Sequence, residues 1–267
     1  MTKIWAVNAF ATHPFKGNPA GVCIVDDFSN AQRMQEIAKD LGFSNTAFIQ
    51  KITAQNYNVK WYTPHSEAPI CGHATIAATH VLISEQLENA SRITYQSAVG
   101  EITCTKNGEW FKLNFPQYNP VAKAIDLAKI TPLKPSFIGV GENCIFAEFT
   151  EAELLELTPN LDELAKLEFR ALIATARSTK YDFGSRYFAP KVGIPEDPVC
   201  ASAHCRLIPY WAEKLGKDEM VAYQASARGG VIKCQNIPNR VLISGEAVTV
   251  YSGNVNDGNL KELKNVA

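Results

Sequence analysis

Glu196-Asp197-Pro198-Val199-Cys200-Ala201-Ser202-Ala203 repeats, about half a chain later, the pattern of Glu67-Ala68-Pro69-Ile70-Cys71-Gly72-His73-Ala74. Both read Glu-x-Pro-aliphatic-Cys-small-x-Ala. A long apolar segment follows each: GHATIAATHVLISEQL after Cys71 and ASAHCRLIPYWAEKLG after Cys200. Proline two residues ahead disfavours helix before it, so each Cys is expected at a helix N-terminus. Both segments are apolar on most faces, as a buried central helix would be. Pro209, inside the second, is expected to kink it or to remove its first turns. The echo reads as an internal repeat: two β-rich lobes, each wrapped round a central helix, with both helix N-termini aimed at one cleft.

The flanking sequence fits that frame. Strand-like runs (KIWAVNAF, AGVCIV, TAFIQKI, YNVKWYT) lead to the first echo, and RITYQ, EITCTK and WFKLNF follow it. SFIGV, NCIFAEF, FRALIATA and KYDFGSRYFA precede the second echo; MVAYQAS, GGVIKCQ, RVLISG and AVTVYSG follow it. AQRMQEIAKDLG reads as an amphipathic helix capped by Ser29, with Met34, Ile37, Ala38 and Leu41 on one face, and LDELAKL as a second helix. The Pro-rich stretch at 114–123 is the expected link. It divides the chain into an N-terminal lobe, 1–116, and a C-terminal lobe, 117–267, with room for the last residues to return to the first lobe.

Composition narrows the function. With 267 residues, 46% of them hydrophobic, and Lys+Arg 26 against Asp+Glu 27, the chain lacks the basic excess that nucleic acid requires. No window approaches the roughly 20 apolar residues of a membrane span, and MTKIWAVNAF has no leader pattern, so a cytoplasmic protein without a membrane partner is expected. Seven cysteines, an odd number in apolar runs, read as free thiols. Cys200 and Cys205 are not a CxxC pair and no matching His pair exists, so no metal site is expected.

A helix N-terminus binds carboxylates and lowers a thiol's pKa from about 8.5 towards neutrality. Two such thiols on opposite sides of a bound acid would form a base and acid pair, inverting a stereocentre without a cofactor. The helix N–H groups would stabilise the charge that develops on the carboxylate.

At these residues the chain resembles the phenazine-biosynthesis isomerase-like (PhzF-like) family. The resemblance runs almost end to end, through Gly17-Asn18-Pro19-Ala20, Trp61-Tyr62-Thr63-Pro64, Cys71-Gly72-His73-Ala74-Thr75, Phe188-Ala189-Pro190, Gly193 to Pro198, Ser202-Ala203-His204 and Ser226-Ala227-Arg228-Gly229-Gly230. It implies an α+β fold of the diaminopimelate-epimerase type: two similar lobes, each a β-barrel around a central helix, with the active site in the cleft between them. A homodimer is an expectation from the same resemblance.

Two departures from the family pattern bear on mechanism. The family's proton-carrying glutamate, in Ser-Glu-Thr, is replaced in Ser44-Asn45-Thr46, and an amide cannot shuttle a proton. The family's Asp-Pro-x-Thr-Gly-Ser-Ala becomes Asp197-Pro198-Val199-Cys200-Ala201-Ser202-Ala203, which puts a thiol where diaminopimelate epimerases and proline racemases carry their second catalytic cysteine. Cys71 matches their first.

The favoured reading is a cofactor-independent isomerase of a small carboxylic acid, a two-thiol racemase or epimerase. Cys71, Cys200, Asp197 and His73 are its candidate catalytic residues; Asn18, Asn45, Gly72, Ala74, Ala201 and Ser202 are the candidate substrate contacts. One alternative is a proton-shifting isomerase that uses Asp197 and His73; another is a family member that only binds a small acid. For Cys23, Cys104, Cys144, Cys205 and Cys234 the accepted role is core filling. Cys71 and Cys200 divide about evenly between catalysis and packing, and Asp197 and Ser202 have capping of the second helix as their structural role. Ala201, in place of the family's Gly, adds a Cβ that narrows the anion pocket. His80 and His204 read as core or interface, His13 and His65 have no assigned role, and Arg228 divides between acid binding and a surface or salt-bridge role.

Overall fold

The helix that follows Cys71 is apolar on most faces and buried from Gly72 to Leu82 except at the half-buried His80, so strands must surround it. The computed structural model describes residues 2–255. Its first half runs β1 (Thr2–Ala9), β2 (Asn18–Ile24), α1 (Ala31–Leu41), β3 (Asn45–Thr53), β4 (Asn56–Tyr62), the short β5 (Glu67–Ala68), α2 (Gly72–Ser84), β6 (Arg92–Ser97), β7 (Gly100–Asn107) and β8 (Trp110–Pro116). The second runs β9 (Val121–Ala122), β10 (Phe137–Gly141), β11 (Cys144–Glu148), α3 (Glu151–Glu156), α4 (Leu161–Lys166), β12 (Ala171–Arg177), β13 (Phe183–Phe188), α5 (Ala201–Leu215), β14 (Glu219–Gln224), β15 (Gly230–Ile237), β16 (Arg240–Gly245) and β17 (Ala247–Val255).

Strand pairing repeats between the halves. In the first, β1–β2 is antiparallel, β2–β3 parallel across α1, β3–β4 antiparallel, β4–β6 parallel across α2, and β6–β7–β8 antiparallel. In the second, β10–β11, β11–β12, β12–β13, β13–β14 and β14–β15–β16 follow the same alternation, with α3 and α4 in the place of α1 and α5 in the place of α2. α2 packs against β1, β2, β3, β8 and β17; α5 packs against β14, β15 and β16.

Closed barrels were the expectation, and the sheet is instead one continuous open path. β8 spends its free edge on β16, joining the halves, and β17 crosses back to pair with β1. Among the described residues the path ends at β17 and β9. The result is a sheet-rich α+β fold.

Three local outcomes differ from the sequence reading. Asn30, not Ser29, caps α1, accepting from the Arg33 N–H at 2.9 Å, because Asp27 already holds the Ser29 hydroxyl and N–H. α3 was not anticipated; its six residues are too few for an apolar period, although Thr150 and Glu153 form a capping box. α5 keeps its first turns and runs unbroken past Pro209. Proline has no N–H to give the carbonyl four residues back. The Tyr118 N–H, from the link between the halves, fills the vacancy at the Cys205 carbonyl at 2.9 Å.

Candidate active site

Cys71 and Cys200 are the N-cap residues of α2 and α5, both extended in backbone and neither capping with its side chain. The unpaired N–H groups of each first turn therefore face the sulfurs: those of His73 and Ala74 reach Cys71, and that of Ala203 reaches Cys200. The two helix ends touch. A Cβ built on Gly72 would lie 2.7 Å from the Cβ of Ala201, so only glycine allows this approach. The cap carbonyls are held alike, Cys71 O by the Thr75 hydroxyl at 2.7 Å and Cys200 O by His204 Nδ1 at 2.9 Å.

Asn18, the first residue of β2, ties the halves together at this point. Its Nδ2 donates to Asp197 Oδ1 at 2.7 Å and to Val199 O at 3.0 Å, with His73 Nδ1 at 3.3 Å. Its Oδ1 accepts from Ser44 Oγ at 2.8 Å, and that hydroxyl also lies 3.1 Å from His73 Nε2. Ser44 Oγ donates its one proton to Asn18, so His73 Nε2 carries the proton it gives Ser44 and Nδ1 is left as an acceptor. Cys71 Sγ sits 3.4 Å from that Nδ1, a thiol hydrogen-bonded to an imidazole. On the other side, Cys200 Sγ lies 3.3 Å from Ser202 Oγ. Gln224, wholly buried, accepts from the Cys200 N–H at 2.8 Å and donates to Asp197 O at 2.6 Å.

Burial sets the proton affinities. It pushes the Asp197 carboxyl up to about 7, against the opposing Val199 N–H. It lowers His73 to about 3 and His204 to about 4. Burial also pushes both thiols well above their ordinary range, with the Asp197 charge adding to the rise at each and the helix N–H groups opposing it. Helix N-termini were expected to bring these thiols towards neutrality. At sulfurs whose residues are each only 6% exposed, desolvation wins.

Of the ten residues singled out from the sequence, the folded chain brings Asn18, Cys71, Gly72, His73, Asp197, Cys200, Ala201 and Ser202 into this contact network, and Ala74 lends it an N–H. Asn45 opens β3 beside Ser44, 7% exposed, and among the described residues its Nδ2 has no hydrogen-bond partner. Asp197 does not cap α5 directly; its Oδ1 accepts from the Val199 N–H at 3.0 Å. Ser44 and Gln224 were missed. Ser44 was in view beside Asn45, whereas nothing local marks a glutamine at the end of a strand. Among the described residues Arg228 pairs with no acid: it donates to the carbonyls of Gly17 and Lys16. A cavity of about 800 Å³ beside Glu88 and Lys106 and another of about 440 Å³ beside Lys217 and Lys233 include none of these residues. Among the described residues no helix is long and apolar enough to cross a membrane.

Paired helix ends here carry two thiols, an imidazole and a carboxyl of near-neutral acidity, and by its relatives, several of them named as isomerases, the chain is an enzyme of the isomerase class. It belongs to the phenazine biosynthesis-like (PhzC-PhzF) family, whose model matches residues 7–253. A protein of Halalkalibacterium halodurans named as an uncharacterized isomerase is 40% identical over 93% of this chain and 96% of its own length. The crystal structure of a PhzF-family phenazine biosynthesis protein from Enterococcus faecalis is 36% identical, with a TM-score of 0.91 over 95% of this chain and 98% of that one. A probable proline racemase from Agrobacterium radiobacter shares the fold, with a TM-score of 0.66 over 96% of this chain and 93% of that one at 12% identity.

Proposed function

We propose that the chain is a cofactor-independent racemase or epimerase of a small carboxylic acid, working with Cys71 and Cys200 as a pair. In this reading the halves are lobes that meet near residue 116, and the acid lies in a cleft between the ends of α2 and α5. Its carboxylate takes N–H groups of the two first turns, those of Gly72, Ala201 and Ser202 together with that of Ala74, which it shares with the Cys71 sulfur, with Asn18 and Asn45 as further polar contacts. One cysteine, as thiolate, takes the α-proton. The other, as thiol, delivers its proton to the opposite face, so that thiol and thiolate exchange places and no net charge is made. The observation that carries this reading is that both cysteines cap buried helices whose first residues, Gly72 and Ala201, are in contact.

A second reading draws on a different observation. Burial drives both thiols towards the protonated form while holding Asp197 at about 7, where it can give or take a proton under ordinary conditions. Asp197 with His73 would then shift a proton within one substrate, and the cysteines would only pack. Either route is tested by following α-proton exchange by NMR in deuterated buffer with reductant, over L- and D-amino acids, proline derivatives and small 2-hydroxy acids. Deuterium incorporation at the α-carbon is expected for at least one class. A protein that is thermally stabilised by such acids yet exchanges no proton would be a binding protein instead.

A further inference from the structure

Arg228 sits on the turn between β14 and β15, and its guanidinium faces backbone. Nε donates to Gly17 O at 2.8 Å and Nη2 to Lys16 O at 3.0 Å. The Gly17 N–H returns a bond to Gly229 O at 2.8 Å. Gly17 has no freedom here: its φ is +67°, and a Cβ on it would lie 2.2 Å from Ala9 O. The same turn grips the run that leads into Cys200. Ser226 Oγ donates to Pro198 O at 2.7 Å and accepts from the Gly229 N–H at 3.1 Å. Gly230 packs so close to Val199 that a Cβ on it would meet Val199 Cγ2 at 2.5 Å.

These contacts close a ring. Gly17 leads directly into Asn18, whose amide bonds Asp197 Oδ1 and Val199 O. Pro198 and Val199 are held from behind by Ser226 and Gly230, and Gly229 and Arg228 lead back to Gly17. We propose that Arg228, with Ser226 and Gly229, is a positioning clasp: it fixes the Lys16–Gly17 backbone so that the Asn18 amide stays bonded to the Asp197 carboxylate and beside His73. Arg228 is thus a positioning residue and does not bind the substrate acid. The kinetic consequence rests on the function proposed above; the effect on Asp197 does not.

The sign of that effect follows from the donors. An N–H bonded to a carboxylate favours its ionised form, so loosening Asn18 raises Asp197 further. The other groups facing Asp197 are Cys71 and His73 from α2, Cys200 at the cap of α5, Tyr187 from β13 and its neighbour Glu196, itself paired with Arg186. Arg228 itself bonds none of them, its partners being the carbonyls of Gly17 and Lys16, and it reaches them only through Asn18.

The experiment is a ¹³C NMR titration of the aspartate carboxyls in the full-length protein, with Asp197 assigned by its loss in Asp197→Asn. Native protein is compared with Asn18→Ala, Arg228→Ala, Arg228→Lys, Ser226→Ala and the Asn18→Ala/Arg228→Ala double variant. Asn18→Ala is expected to move the Asp197 midpoint up by about one pH unit, the worth of a lost charge-assisted hydrogen bond. Arg228→Ala should move it in the same direction, Arg228→Lys by less, and the double variant no further than Asn18→Ala alone. The pH profile of α-proton exchange should move in parallel. An Asp197 midpoint that stays at its native value in Arg228→Ala while Asn18→Ala moves it would overturn the clasp, as would full additivity in the double variant. Should Arg228→Ala fail to fold, Arg228→Lys and Ser226→Ala carry the same comparison. If no substrate is exchanged by any form, the proposed function fails while the titration still decides the clasp.

Discussion

Gly72→Ala places one methyl group where the two halves come closest. Gly72 has no positive φ, so alanine is allowed by the backbone and the whole effect is packing. The new Cβ would stand 2.7 Å from Ala201 Cβ, 3.3 Å from Phe115 Cε2 and 3.5 Å from Leu113 Cδ1. Ordinary carbon contacts are about 3.5–4.0 Å, so the ends of α2 and α5 must part by about 1 Å, and Phe115 and Leu113 close the sideways escape. Overpacking of this kind costs about 1–3 kcal/mol. At roughly 2–4 °C per kcal/mol for a chain of this size, the melting temperature should fall by about 2–12 °C. Separating the two cysteines from a shared substrate by about 1 Å should slow exchange by about 100-fold. Ala201→Gly removes the opposing methyl, so Gly72→Ala/Ala201→Gly should recover much of both losses. The assays are thermal unfolding and α-proton exchange. A Gly72→Ala protein that melts and exchanges like the native one would refute the claim that these helix ends are in working contact.

Gln224→Leu would orphan the buried Cys200 N–H and the Asp197 carbonyl, lowering stability by about 1–3 kcal/mol in urea unfolding and slowing exchange; unchanged values would make Gln224 a bystander. Buried His73 and His204, held at about 3 and 4, bind protons only on unfolding once the pH drops below about 6.5. The stability from keeping them neutral is therefore complete above that pH and is lost as pH falls towards 3, so the urea midpoint should drop over this window and a flat profile would contradict it. Asp197 has the opposite sign: its carboxyl, raised to about 7, contributes stability below about 4 that is lost as pH rises through 7. Asp197→Asn should accordingly gain on the native protein across that range, read from the same urea midpoints, and a constant difference would show that Asp197 is already ionised.

The repeat and the central helices were readable because α2 is apolar on nearly every face, α5 is apolar over most of its length, and both are introduced by the same Pro-aliphatic-Cys signal. Closure was not readable. Whether β8 turns back to its own half or pairs with β16 depends on edge geometry, which strand-like composition at Trp110–Pro116 does not encode. The fate of Pro209 was hidden for a similar reason, since Tyr118, the donor that replaces its missing N–H, lies 91 positions earlier in the chain (209 − 118). Site residue types were visible in the two echoes and in Gly17-Asn18. Their electrostatics were not: a cysteine at a helix N-terminus predicts a lowered pKa, and only the folded chain reveals burial deep enough to reverse it.

The thiol pair is tested most directly by α-proton exchange measured on one substrate with native protein, Cys71→Ser, Cys200→Ser and Asp197→Asn side by side. The two-thiol account predicts exchange with inversion in the native enzyme and its loss, by about 100-fold or more, in both serine variants. Serine variants that exchange at the native rate, beside an inactive Asp197→Asn, would contradict it and transfer the chemistry to the carboxyl.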